Sequence, residues 1–213
     1  MFTLGLGASL QDILSKGLEI FFQFYFQTGT ITEVGTTNID AKGIALEFGL
    51  KYAFDSSLRP WIEGKVDLLS GDDGTGATDD EVEAFLSYES VSDLMILDNP
   101  YFGLDWDTNV LVFKFSGGVA FSAGAGKENV RLSAVFGLAK TDEDVTFGLV
   151  TEDKLGTELD IKLDYDYSKQ VTLEAGGAFL FGSDILEQAG GGSTDPDADS
   201  NAMLFWWGVR AKF

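Results

Sequence analysis

Apolar and polar residues alternate with period 2 along most of this chain, in runs of about ten residues parted by turns. From Leu18 to Gln27, one face carries Leu18, Ile20, Phe22, Phe24 and Phe26, and the other Glu19, Phe21, Gln23, Tyr25 and Gln27. Lys42 to Tyr52 repeats this, with Ile44, Leu46, Phe48, Leu50 and Tyr52 against Gly43, Ala45, Glu47, Gly49 and Lys51. Pro60 to Leu69, Asn109 to Ala120 and Val130 to Ala139 follow the same rule. The pattern is cleanest from Glu158 to Tyr167, where Leu159, Ile161, Leu163, Tyr165 and Tyr167 alternate with Glu158, Asp160, Lys162, Asp164 and Asp166. Another run follows Gln170, and the chain closes on Met203 to Phe213, whose apolar set ends in the terminal aromatic. Eight complete strands are predicted from this pattern. Thr3 to Ala8 predicts a ninth, incomplete one, below the roughly 9–11 residues of a tilted membrane strand.

The connections carry a second signal. Phe54 to Ser57 and Ser168 to Gln170 read as tight turns, and Phe121 to Asn129 as a modest one. Between them Gly29 to Asp40, Ser70 to Thr108, Lys140 to Lys154 and Gly182 to Asn201 read as longer, acidic loops. Short turns at one rim and long loops at the other mark an outer-membrane barrel, whose apolar side chains face lipid and whose polar ones face a lumen. The closing strand resembles the C-terminal assembly signal of such barrels. Placing its end at the periplasmic rim puts every short turn on that side. The predicted fold class is all-β: a transmembrane antiparallel up-and-down β-barrel, with residues 1–213 as one domain and long extracellular loops at 70–108, 140–154 and 182–201. With its first strand incomplete, the chain reads as the C-terminal part of a larger barrel of roughly 16–18 strands.

Composition narrows the chemistry. A formal net charge of -21 argues against nucleic acid, whose phosphates would be repelled. Histidine is absent, which removes the commonest general base and most zinc sites, and no enzymatic activity is expected. Cysteine is absent too, as suits an envelope protein that avoids stray disulfides. No window of about 18 uncharged apolar residues exists, so no transmembrane helix is predicted. The first residues lack the basic start, apolar core and cleavage site of a signal peptide, so the sequence reads as a processed or partial chain.

Four tags resemble the alginate-export family of outer-membrane porins. Leu18-Glu19 with Gln27-Thr-Gly29 is similar to that family's Glu-containing strand ending in a Gln-x-Gly turn. Leu69-Ser-Gly-Asp72 resembles a Ser-Gly-Asp loop start, and Tyr101-Phe-Gly103 with Asp105 and Asn109 a Tyr-Gly-x-x-Asp…Asn stretch. Leu155-Gly-Thr-Glu-Leu-Asp160 resembles an Ile-Gly-x-Glu-Leu-Asp strand. The resemblance implies a monomeric porin barrel. It departs on charge: the family's exporter lines its pore with arginines, whereas this chain has only Arg59, Arg131 and Arg210.

Parity places Glu63, Lys65, Asp67, Lys114, Arg131, Glu158, Asp160, Lys162, Asp164 and Arg210 on the lumen wall as candidate solute-facing residues. This ladder reads either as a selective constriction or as a hydrated wall whose charges pair across strands. Trp61 and Trp206 also point inward by parity. The stretch Val82 to Leu97 either folds into the pore as a plug or stays outside as a short helix. Asp195, Asp197 and Asp199 resemble the first half of a calcium loop but lack its Gly and distal Glu. They read first as a solvated loop, with Ca2+ as the alternative; no other cofactor is expected.

The expected function is passive diffusion of small hydrophilic solutes or oligosaccharides through an acidic lumen that prefers cations or neutral species. The expected setting is a Gram-negative outer membrane, with lipid, lipopolysaccharide and, through the C-terminal strand, the barrel-assembly machinery as partners. Two rivals remain. One is a small closed eight-stranded barrel with a structural or adhesion role and no pore. The other is a soluble β-sandwich or lectin-like binding domain whose Phe-rich faces meet in a core.

Overall fold

The computed structural model describes residues 1–32, 38–72, 81–87, 94–98, 108–122, 129–147, 150–189 and 200–212. The strands are β1 (Phe2–Gln11), β2 (Leu18–Thr32), β3 (Asn38–Ala53), β4 (Trp61–Leu69), β5 (Glu81–Val82), β6 (Val110–Phe121), β7 (Val130–Phe147), β8 (Val150–Asp166), β9 (Val171–Gly182) and β10 (Ala202–Ala211). One short helix, α1 (Asp184–Ala189), follows β9. The fold is all-β: a single sheet in the order β1-β2-β3-β4-β6-β7-β8-β9-β10, with β5 added in parallel beside β3. Each pairing along that path is antiparallel. Among the described residues β1 and β10 do not pair with each other, so the sheet is open and not a closed eight-stranded ring.

Register converts the alternation into two surfaces. Leu6 pairs with Phe24, Phe24 with Leu46 and Leu46 with Leu68. Further along, Phe113 pairs with Leu138, Phe136 with Leu159, Leu159 with Phe179 and Phe179 with Met203. One face is thus apolar from edge to edge, and it is bare: Leu6 is 70% exposed, Phe115 61%, Phe205 70% and Trp207 83%. A sandwich would have covered this face with a second sheet. The charged residues of the central rows share the opposite face, while Asp40, Lys42 and Lys140 stand on the apolar side toward the strand ends.

That opposite face holds the core. Residues 83–87 and 94–98 lie on it, and α1 lies against β7, β8 and β9. Phe85, Leu94, Ile96, Leu97, Ile185 and Leu186 are buried there against Leu69, Val110, Val112, Leu155, Ala178 and Leu180. Burying each large side chain stabilises by about 1.5–3 kcal/mol. A bulge serves this core: Ala139 pairs with Gly156 but Lys140 with Lys154, so Leu155 is the extra residue and is buried. Gly156 has φ +151, and its position is within reach of the Phe181 carbonyl, so no side chain fits.

Several elements differ from the sequence reading. β1 spans ten residues instead of Thr3 to Ala8, because Ser9 Oγ and Gln11 Nε2 both donate to Glu19 Oε1 and extend the pairing. Residues 140–147 and 150–154, expected within a loop, are paired strand ends in which Val145 pairs with Glu152 and Thr146 with Thr151. Likewise β2 runs to Thr32 and β3 starts at Asn38, within the expected loop of Gly29 to Asp40. The Gln27-Thr-Gly29 tag therefore lies inside a strand rather than at a turn. The run Lys140-Thr-Asp-Glu-Asp144 holds no apolar residue, so no alternation marks it while backbone pairing persists. The expected loops 70–108 and 182–201 do lie between strands, but they contain β5, the returning segment and α1.

The short turns are built as their residues suggest. Asp12 (φ 58) accepts from Gly17 N at 2.5 Å, and Gly17 (φ 86) passes against the Ala53 carbonyl where no Cβ fits. Lys16 of this turn bonds Asp55 of the next at 3.0 Å, which holds the lysine above and the aspartate below their ordinary pKa values. Both are almost fully exposed, so the pair orients the turns more than it stabilises them.

Ile96→Ala should cost about 2–5 kcal/mol in urea unfolding in detergent micelles, by loss of burial and a residual cavity. Phe205→Ala, on the bare face, should change stability in the same micelles by less than about 1 kcal/mol.

Candidate functional site

All ten candidate wall residues lie on the covered face, and register sorts them into rows. Lys65 pairs with Lys114, Gly137 with Glu158, Ser133 with Lys162, Arg131 with Asp164, and Arg210 with Thr172. They fall into three groups with different access to water.

The first joins β3, β4 and β6. Lys65 Nζ lies 2.8 Å from Glu47 Oε2 and 3.3 Å from Asp67 Oδ1, and Lys114 Nζ lies 3.0 Å from Asp67 Oδ2. Asp67 and Lys114 are buried, so this is a dry ion cluster and not a hydrated wall. Buried charges persist only when each is paired, and here two carboxylates face two ammonium groups. Glu63, one row away, faces Lys51 at 3.5 Å, and Lys51 lies 4.6 Å from the ring centre of Trp61.

The second group anchors the returning segment. Ile96 N and Leu97 N donate to Glu158 Oε1 and Oε2 at 2.7 and 2.9 Å, and Met95 N donates to Asp160 Oδ2 at 3.2 Å. These donors come from a single helical turn, Leu94 to Asp98, closed by Asp98 N donating to the Leu94 carbonyl. Its unsatisfied N–H groups point at the carboxylates, as at a helix start. Glu158 is wholly buried. Leu94 packs on Gly137, where a Cβ would come within 2.7 Å of its methyl groups. Trp206 Nε1 donates to Met95 Sδ at 3.3 Å.

At its other end the segment is held by β2 and by the end of β4. Gln27 Nε2 donates to the Leu86 carbonyl and Leu86 N donates to Gln27 Oε1, both at 2.8 Å, so one side-chain amide mimics a strand. Ser70 Oγ accepts from Ile44 N and donates to the Glu83 carbonyl, while Phe85 N donates to the Ser70 carbonyl. Residues 83–87 are thus tied to β2 and the end of β4, and residues 94–98 to β8; together they form a strap. Of the two readings of Val82 to Leu97, the structure places its described residues on the charged face.

The third group lies beyond the strap. Arg131 donates to both Asp166 oxygens, at 2.5 and 3.0 Å, and lies 3.7 Å from Asp164. Lys162 lies 3.4 Å from Asp164, and Arg210 pairs with Glu174. Arg131 and Arg210 are about half exposed, so this part of the face is wet. Pairing across strands accounts for the ladder here.

A cavity of about 470 Å3 opens between β1–β4 and the strap, with Gln23, Tyr25, Glu47, Asp67, Phe85 and Leu86 in its wall. Parity had already placed Trp61 and Trp206 on this face. Gln27, Ser70 and Glu47 were missed as site residues: Gln27 and Ser70 act through backbone groups of the strap, a contact no local pattern shows. Asp195, Asp197 and Asp199 lie outside the described residues, as do Tyr101 to Asp105. Among the described residues no group of three or more acidic side chains is placed to hold a metal ion. No protein-family model matches this sequence, and no curated protein matches it.

Glu158→Ala should leave the Ile96 and Leu97 amides without acceptors, at about 1–3 kcal/mol each. Hydrogen exchange at these two amides should accelerate about a hundredfold or more, while β2–β3 amides keep their rates.

Proposed function

We propose that this sheet is part of the wall of an outer-membrane channel that conducts small hydrophilic solutes, with the strap narrowing its lumen. The observation that carries the reading is inverted burial: the apolar band is bare across nine long strands while charges and core share the other face. In water such a band would drive aggregation; against lipid it is the stable arrangement. Strands β1, β4, β9 and β10 have 10, 9, 12 and 10 residues, close to the roughly 9–11 that cross a bilayer at a tilt. The longer β2, β3, β7 and β8 then project beyond one rim, while Tyr52, Phe54, Tyr165 and Tyr167 sit near the short turns as an interfacial belt would.

A membrane sheet cannot leave its edges open. Eight antiparallel steps make β1 and β10 point the same way, so antiparallel closure takes an odd number of further strands between them. In this reading the barrel is larger than the described sheet, its C-terminus is periplasmic, and strand β10 is what the barrel-assembly machinery engages. Lipid and lipopolysaccharide cover the bare face. The ten wall residues hold five carboxylates and five cations, but Glu19, Glu47, Asp166 and Glu174 share their face against only Lys51 and Lys212, so cations and neutral solutes are favoured over polyanions such as alginate.

Reconstituted in planar bilayers across a KCl gradient, the protein should give a reversal potential of cation-selective sign. Asp164→Asn combined with Glu174→Gln should move that potential toward zero, and Glu158→Ala should raise single-channel conductance by loosening the strap. Anion selectivity, or the absence of any conductance, would sink the proposal.

A further inference from the structure

The cavity beside the strap has a chemistry that the conduction reading leaves unused. Its polar wall, Gln23, Tyr25, Glu47 and Asp67, is a relay joined through a lysine behind it: Tyr25 donates to Gln23 Oε1 at 2.6 Å, Gln23 Nε2 donates to Glu47 Oε1 at 3.0 Å, and Glu47 meets Lys65, which meets Asp67. Asp67 in turn meets Lys114, so two carboxylates are balanced by two ammonium groups. A charged ligand would gain little from a neutral cluster and would disturb its pairs. The remaining surface is apolar and partly aromatic, with Tyr25 and Leu86 each 37% exposed and Phe85 behind them. At about 470 Å3 the space lies within the range of small-molecule sites.

We propose that this cavity is a binding subsite for a neutral saccharide. A sugar ring presents apolar C–H faces and a rim of hydroxyl groups, which need an aromatic or aliphatic platform beside groups that both donate and accept. Tyr25 with Leu86 supplies the platform. Gln23, Glu47 and the Tyr25 hydroxyl supply the polar rim: Gln23 keeps a second amide N–H, and the carboxylate and phenol oxygens have further lone pairs. Gln27 takes no part, since both ends of its amide are held by Leu86. The relay fixes these groups before a ligand arrives, which lowers the cost of ordering them. The subsite would hold a solute in transit and so rests on the channel reading, but binding is measured without conduction.

Saturation-transfer NMR and calorimetry on the protein in detergent micelles, with maltose, glucosamine and glucuronate as probes, test this. Maltose should bind with a millimolar Kd and the two charged sugars at least tenfold more weakly. Tyr25→Ala should weaken maltose at least tenfold, and Gln23→Leu, at an exposed position, serves where Tyr25→Ala fails to fold. Glu47→Gln removes one carboxylate and should raise the affinity for glucuronate relative to glucosamine. Charged sugars binding as well as maltose, or maltose binding unmoved by Tyr25→Ala and Gln23→Leu, would overturn the subsite. Current without maltose binding ends the subsite alone, and maltose binding without current ends the channel alone.

Discussion

One register, held from β1 to β10, is the constraint on which everything else in this molecule rests. Each strand offers two faces, and a slip of one residue between any pair would carry a run such as Phe22, Phe24 and Phe26 onto the charged side. The register keeps Leu6, Phe24, Leu46 and Leu68 in one line and Phe136, Leu159, Phe179 and Met203 in another. Because every strand obeys it, charge collects on the opposite face. Only there can a returning segment find partners for its backbone.

The strap shows how a face rich in charge can also hold a core. Its apolar residues settle where the polar alternation is interrupted by Leu69, Val110, Val112, Ala139, Ala178 and Leu180. Around that patch, burial would be costly for Asp67, Lys114 and Glu158 if each stood alone. The structure offsets the cost in two ways: ammonium groups meet carboxylates on β4 and β6, and backbone N–H groups meet them on β8. Beyond the strap, at Arg131 and Arg210, pairs are half exposed and contribute less, as surface pairs do. The same residue types therefore serve different ends within a few rows of one sheet. The cavity proposed as a saccharide subsite lies beside the first of these clusters, where Phe85 and Leu86 of the strap meet Glu47 and Asp67.

Much of the sheet was legible in the chain. The alternations at Leu18 to Gln27 and Glu158 to Tyr167 mark strands, and all ten candidate wall residues share a face as parity assigned them. The hairpin arms at 140–147 and 150–154 were not legible, because the polar run from Lys140 to Asp144 carries no apolar alternation. Nor was α1, a six-residue helix that is stable only against β7–β9. The roles of Gln27 and Ser70 were hidden as well, since their partners are backbone groups 59 and 13 residues along the chain.

By itself the sequence determined which side chains lie together, because period 2 is a property of the strand backbone and needs no distant contact. Only the tertiary structure decided which part of the polar face is dry and which is wet. That depends on Ile96 and Leu97 reaching Glu158 across about sixty residues of chain, and a local pattern carries no record of so distant a contact.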